Sequence, residues 1–299
     1  MIYDIRHTTS YKYEAPVAYS ICAVRLRPTS RPGQNVLDAR LDIEPSPARR
    51  VRRACFFGNA FEIIRIEAEH RELTVAARAR IVVARPAVPV ATPAWEGVRQ
   101  AAFSVADLGR QSPAHFIYPS RIVTLDEPLV DYARKSFAPG RPILAGAVEL
   151  MQRIWEDFDY DPTATFVSTP PGEAFAKKRG VCQDFVHIMI AGLRGLGLPA
   201  RYVSGYLRTV PPPGEERLEG ADATHAWAAV WCGPEDGWFG LDPTNKILVG
   251  DDHIILAEGR DYADVAPIDG VILSFGGQDV GVAVDVVPVA AEDAPPTFG

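Results

Sequence analysis

The sequence predicts an α+β protein: an amino-terminal antiparallel β-sandwich, then a core in which one helix packs on an antiparallel sheet. Three observations predict it. Between residues 20 and 83 apolar and polar side chains alternate with a period of two. After Cys182 the apolar residues fall at three- and four-residue steps. Residues 225 to 242 then hold two short runs on either side of the turn Gly233-Pro234-Glu235-Asp236-Gly237.

The first unit is read over residues 1–85. Cys22, Val24 and Leu26 alternate with Ala23, Arg25 and Arg27, and Leu37, Ala39, Leu41 and Ile43 with Asp38, Arg40 and Asp42. A further strand lies near 61–68, after the turn signal Gly58-Asn59, and Leu73, Val75, Ala77, Ala79, Ile81 and Val83 continue the pattern. His7 and His70 read as sheet residues rather than ligands. Pro86, Pro89 and Pro93 among alanines mark a linker, and 86–142 reads as linker and short helices. The catalytic core is expected over 143–289. It opens with a helix over 143–158 in which Trp155 is expected to pack inward, and a short helix follows Thr169-Pro170-Pro171-Gly172. The apolar stripe Phe185, Ile188, Met189, Leu193 and Leu196 defines the helix that Cys182 heads, and Gly197 and Pro199 stop it. Pro211 to Gly220 reads as a mobile loop between two core strands. The acidic, proline-rich tail over 290–299 reads as disordered.

Cys182 lies at the helix start, where free amide groups and the positive end of the helix dipole favour a thiolate. The same amides suit the oxyanion of a tetrahedral intermediate. His225, Trp227, Ala229 and Trp231 share one face of a strand. The hairpin brings Asp242 opposite or diagonal to Trp227 and so close to His225, since cross-strand neighbours lie ~5 Å apart and diagonal ones ~7–8 Å. A lone helical cysteine is usually a core residue, and a histidine beside an aspartate is usually a satisfied core pair. The three together form a set suited to cysteine acyl transfer, with a nucleophile, a base and an orienting carboxylate. Asp222 and Asp184 stand next in line as orienters. Trp227 and Tyr206 are the candidate substrate-binding residues, with Trp227 as a wall of an acyl pocket that shields the His225–Asp242 pair. His187, five residues after Cys182, turns to another side of the helix.

The segments Gly180-Val181-Cys182-Gln183-Asp184-Phe185, Leu198-Pro199-Ala200-Arg201-Tyr202-Val203-Ser204-Gly205-Tyr206, Thr224-His225-Ala226-Trp227 and Leu241-Asp242-Pro243-Thr244 resemble, in order, the core of the transglutaminase-like superfamily. His7-Thr8-Thr9-Ser10-Tyr11-Lys12-Tyr13 resembles the extra amino-terminal domain of its bacterial branch. The resemblance implies a papain-like core with Cys182 as nucleophile, His225 as base and Asp242 as orienter. Members include cross-linkers, peptidases and amidases. Two family devices are missing at their usual places. Animal cross-linking enzymes use an upstream tryptophan to help hold the oxyanion, and Trp155, in an expected helix, is the nearest here. Papain-type proteases place a glutamine six residues before the cysteine, where this chain has Ala176.

Composition fits a soluble enzyme expected in the cytoplasm. The chain has 299 residues, 47% of them hydrophobic, and no apolar run of membrane-spanning length. Cys22, Cys55, Cys182 and Cys232 form no close pairs, so no disulfide framework, metal site or cofactor is expected, and all but Cys182 read as small core residues. The net charge of −7 argues against nucleic-acid binding. Residues 1–85 hold 15 basic and 9 acidic side chains (+6) and the remainder 16 and 29 (−13), which suggests matched domains, an acidic cleft, or merely two solvated surfaces. The expected partner is a peptide or protein substrate. The expected activity is cysteine-dependent hydrolysis of an amide through a thioacyl-enzyme. Transfer to an amine, or a non-catalytic peptide-binding module, are the alternatives.

Overall fold

A computed structural model describes residues 1–209, 220 and 222–289. The loop expected over 211–220, apart from Gly220, and the tail over 290–299 lie outside the described residues.

Strands β1 (Ile2–Val17), β2 (Tyr19–Val24), β3 (Gln34–Glu44), β4 (Arg49–Ala54), β5 (Ala60–Ile66) and β6 (His70–Val83) open the chain. Their period-two patterning sends Tyr3, Ile5, Ile64, Ile66, Leu73, Val75 and Ile81 into one shared core. Helices and short strands follow: α1 (Trp95–Phe103), α2 (Glu127–Arg134), α3 (Ile143–Asp157), β7 (Asp159–Tyr160), α4 (Pro171–Lys177), β8 (Arg179–Gly180) and α5 (Cys182–Gly195). A sheet then forms from β9 (Ala200–Leu207), β10 (Ala223–Trp231), β11 (Trp238–Asp242), β12 (Ile247–Leu248) and β13 (His253–Gly259), ordered β12-β11-β10-β9-β13. The short α6 (Tyr262–Val265) leads to β14 (Ile268–Leu273) and β15 (Gln278–Pro288).

The last two strands correct the expected division, which assigned everything from 143 to 289 to the catalytic core. β14 pairs with β2 from Ile268↔Val24 to Leu273↔Tyr19, and β15 pairs with β1 from Tyr3↔Pro288 to Tyr13↔Gln278. The sandwich sheets are therefore β15-β1-β6-β3 and β14-β2-β5-β4, each completed by the returning chain. Without that return, β1 and β2 would present unpaired backbone edges. Residues 86–142 are likewise more than a linker. Val98, Ala102, Leu129, Val130 and Ala133 from α1 and α2 enter the same core as α5. α2 lies so close to α5 that a Cβ on Gly195 would sit 2.1 Å from Val130 Cγ2, and one on Gly192 2.6 Å from Ala133 Cβ. Each fully buried aliphatic side chain of this core contributes roughly 1.5–3 kcal/mol.

Trp155 was expected in the core and is not there. It is 48% exposed, with the Lys246 ammonium 4.6 Å above its ring. The inner stripe of α3 is completed by Ala147, Leu150, Met151 and Ile154, which puts Trp155 on the outer side. Cys22 and Cys232 are buried as expected, but Cys55 is only half-buried, its sulfur accepting from Asn59 Nδ2 at 3.3 Å. Among the described residues no helix is long and apolar enough to cross a membrane.

Candidate active site

Cys182 is the first residue of α5, behind Val181 in extended conformation. The parallel pairing Asp159↔Arg179 and Tyr160↔Gly180 fixes how the chain enters the helix. Asp184 closes the first turn: its Oδ2 accepts from Val181 N at 2.8 Å and from Thr165 Oγ1 at 2.6 Å. A Cβ on Gly180 would sit 2.5 Å from that oxygen, so this turn admits only glycine. The amides of Cys182 and Gln183 lie in the first turn, where an intrahelical acceptor is lacking. Cys182 is half-buried and thus reachable. Tyr160, Phe166 and Val167 leave apolar surface exposed on the segments that lead to it, and Val167 O accepts from Gln183 Nε2 at 3.1 Å.

His225 sits on β10 opposite Gly205. Ala228 faces Leu241 across the hairpin, so the next residue, Asp242, falls on the His225 face. His225 Nε2 and Asp242 Oδ2 are 2.8 Å apart. The Cys182 thiol is a further neighbour of the ring and favours its charged form. The three residues singled out in the sequence therefore come together around the imidazole.

Asp242 is completely buried and accepts five hydrogen bonds: Thr244 N (3.0 Å) and Asn245 N (3.2 Å) on Oδ1; His225 Nε2, Asn245 Nδ2 (2.7 Å) and His253 Nε2 (3.3 Å) on Oδ2. Burial alone would raise its pKa. The donors, His225 and His253 foremost, outweigh burial and hold the carboxyl well below the usual range. The same balance acts on His225. Burial disfavours its charged form, but the bonds to Asp242 and Cys182 push its pKa well above the ordinary imidazole value.

Two contributors were not found in the sequence. Asn245 follows Asp242 in the turn into β12, and its side chain bonds the carboxylate while lying 3.3 Å from His225 Nε2. His253 Nδ1 accepts from Gly250 N at 3.4 Å, which assigns the proton to Nε2 and makes that atom a donor to Asp242. A polar residue three steps beyond Asp242 was a usable signal for Asn245. The return of β13 beside β9, which brings His253 in, leaves no local signal.

Other expectations are corrected. Tyr206 is no substrate contact: it is fully buried in the sandwich-side core, and its hydroxyl bonds His7 Nδ1 at 3.0 Å. It faces Thr224, one step from His225, and the alternation of the strand turns it to the opposite face. Trp227 is also buried, so it is not an open wall of an acyl pocket. Its ring packs 5.1 Å from His253 and 6.3 Å from His225, between centroids, and so covers the network. Asp222 accepts from Thr209 N and Val286 N, and Asp184 serves the helix cap; neither bonds His225. His187 accepts from Tyr262 N, away from the site. Among the described residues no group of three or more His, Cys, Asp or Glu is arranged to hold a metal ion.

The chain is similar to known proteins over most of its length. Residues 3–82 match the bacterial transglutaminase-like N-terminal region, and residues 131–243 match the transglutaminase-like superfamily. An uncharacterized protein of Mycobacterium tuberculosis is 39% identical over 295 residues, covering 96% of this chain and 92% of that protein. A protein-glutamine gamma-glutamyltransferase of Pseudomonas aeruginosa is 33% identical over 123 residues, 40% of this chain and 18% of that one. A solved structure from Cytophaga hutchinsonii, described as that of a candidate cysteine protease, superposes with a TM-score of 0.74 at 21% identity, over 100% of this chain and 94% of the other. That structure bears on fold alone, and it bears out the α+β class with a papain-like core. By these matches the chain belongs to the transglutaminase-like superfamily, in the branch that carries the bacterial amino-terminal region.

Proposed function

We propose that the protein is a cysteine-dependent hydrolase of amide bonds in peptide or protein substrates. Cys182 adds to the carboxamide carbon, and the thiol proton resides on His225. Collapse of the tetrahedral adduct breaks the C–N bond, and His225 returns the proton to the departing amine. A thioester on Cys182 remains. Water then gives a proton to His225 as it attacks; the carboxylic acid leaves and the thiol is restored. Asp242 holds the imidazole in one orientation and stabilises its charged form. The Cys182 amide at the helix start is the backbone donor best placed for the oxyanion. One observation supports this reading: the His225 ring bonds the buried Asp242 carboxylate through Nε2 and has the half-buried Cys182 thiol as a neighbour that favours its charged form.

A second reading, acyl transfer to an amine, is supported by the match to the Pseudomonas gamma-glutamyltransferase. One experiment separates the two. Glutamine-containing peptides and lysine isopeptides are incubated with the protein, with and without added lysine, and the products are weighed by mass spectrometry. Hydrolysis yields the free acid whether or not lysine is present. Transamidation yields a lysine adduct at the expense of the acid. Equal alkylation of all four cysteines by iodoacetamide, with no product that Cys182→Ala fails to form, would remove both readings.

A further inference from the structure

A partly open cavity of about 370 Å³ lies on the same face of the catalytic sheet as His225, farther along the strands, where the sandwich meets the core. Arg31 and Arg85 reach it from the sandwich side, and Arg201 and Glu258 from β9 and β13. Val203, Trp227, Ala229 and Ile255 form its apolar floor, and Trp238 and Phe239 one side. None of Cys182, His225 or Asp242 lines it.

Its polar groups are unevenly matched. Glu258 is the one buried carboxylate, and both its oxygens are taken, by Arg31 Nη1 at 2.8 Å and Arg201 Nη2 at 2.9 Å. Arg85 Nη2 donates to His253 O at 2.9 Å, and Arg201 Nη1 to Gln111 Oε1 at 2.9 Å. Among the described residues the Nε atoms of Arg31, Arg85 and Arg201 have no hydrogen-bond partner, but they are fully enclosed and do not open onto the cavity. Arg85, unlike Arg31 and Arg201, makes no ion pair with a carboxylate among these residues. Arg201 is itself nine-tenths buried, its guanidinium 4.4 Å above the Trp238 ring. Counting Asp236 at the rim, the lining carries three positive and two negative side chains. A cavity whose arginines outnumber its carboxylates favours an anion. Guanidinium groups match carboxylate and phosphate oxygens in geometry as well as charge. The volume falls within the range of small-molecule sites, roughly 300–1,000 Å³.

We infer that this cavity is a binding site for a small organic anion, a carboxylate or phosphate on a flat apolar body. The apolar body lies against Trp227 and Ala229, and the oxyanion meets the arginine wall. The site is separate from the Cys182 chemistry. Because binding is measured without turnover, failure of the catalytic reading would leave this inference standing, and the reverse holds as well.

The test uses the full-length protein at low salt. Benzoate, phenyl phosphate, inorganic phosphate and benzylamine are titrated by calorimetry, with quenching of tryptophan fluorescence as a second signal. The expected result is saturable binding of benzoate or phenyl phosphate, weaker binding of inorganic phosphate, and none of benzylamine. Preference between the first two identifies the headgroup. Arg201→Gln should weaken binding by about tenfold or more, since it removes a charge-assisted contact. If Arg201→Gln does not fold, Ala229→Leu gives an independent check, because its added atoms enter the floor of the cavity and should weaken binding to a similar degree. Absence of saturable anion binding, equal binding of benzylamine, or unchanged affinity in folded variants would overturn the inference.

Discussion

Asp242 on β11 and Glu258 on β13 are buried carboxylates of one sheet, with two strands between them, and their surroundings differ in kind. Asp242 collects five donors, and each polar partner around it has a defined task. Glu258 faces several arginines at once and leaves their Nε atoms unmatched. A satisfied network fixes geometry, as an orienting group requires. A cluster with more guanidinium groups than carboxylates favours an added anion. Trp227 separates the two clusters, lining the cavity while its ring packs on His253 and beside His225. The comparison teaches that the balance of donors and charge, rather than burial alone, distinguishes a positioning network from a candidate ligand site.

The sharpest break removes the reacting groups. Cys182→Ala and His225→Ala should each lower turnover by ~10³-fold or more, because the members of such a set act as a unit. Cys182→Ala should melt within a few degrees of the parent, since the half-buried thiol contributes little to packing. Peptide turnover followed by mass, with a thermal melt as control, checks both points. A Cys182→Ala variant with parental turnover would end the nucleophile assignment.

Asp242→Asn keeps the shape and removes the charge. Turnover should fall by a large factor, on the order of 10³–10⁴, through loss of the ring's orienting partner. The substitution also has a pH signature. His225 is raised, so its share of the stability is complete below the ordinary imidazole value of ~6.5 and fades as pH climbs toward its folded value. Asp242 is lowered, so its share is complete above ~4 and fades as pH falls. The melting difference between parent and Asp242→Asn should therefore be largest between about pH 4 and 6.5, shrink steadily above ~6.5, and be nearly lost by about pH 10. A difference that grows steadily toward pH 10 would contradict the ion pair.

Trp227 tests the partition itself. Trp227→Ala opens a void in the packed layer formed with Val203, Ala229 and Ile255 and should cost ~3–5 kcal/mol of stability. Trp227→Phe keeps most of the packing. It should melt closer to the parent while changing kcat more than KM, because the ring covers the network and the cavity it lines includes none of Cys182, His225 and Asp242. Melts and kcat and KM across pH measure this. A Trp227→Phe that alters KM alone would return Trp227 to the substrate-binding role first expected.

Much of this was legible in the sequence because it rests on local periodicity. The stripe after Cys182 gave the helix and its start, and the hairpin around Gly233 to Gly237 put Asp242 beside His225 by strand geometry alone. What stayed hidden depends on pairing between distant segments. Val280, Val282, Val284 and Val286 carry the period of a strand, yet nothing in them specifies β1 as partner. Tyr206 was misread because two neighbouring positions on β9 face different cores, and only the burial of each face tells them apart. Trp155 was misplaced by its bulk, although the stripe of α3 was complete without it.

The smallest expected effect concerns His253, whose bond to Asp242 is the longest of the five at 3.3 Å. Four donors remain when it is removed, so His253→Ala should lower kcat only a few-fold, to about tenfold at most. Lost packing against Trp227 would lower the melting temperature as well, and that alone would not reveal a positioning role. The discriminating readout is the acid limb of the pH–rate profile. A carboxylate with one donor fewer protonates more readily, so activity should begin to fall at a higher pH than in the parent. His253→Gln keeps an N–H donor and should restore part of the shift even if its stability remains reduced. Rate profiles from pH 8 down to the lowest pH at which each protein stays folded, on the parent and both variants, decide the matter. If His253→Ala loses stability while its acid limb stays with the parent, His253 packs against Trp227 and does nothing for Asp242.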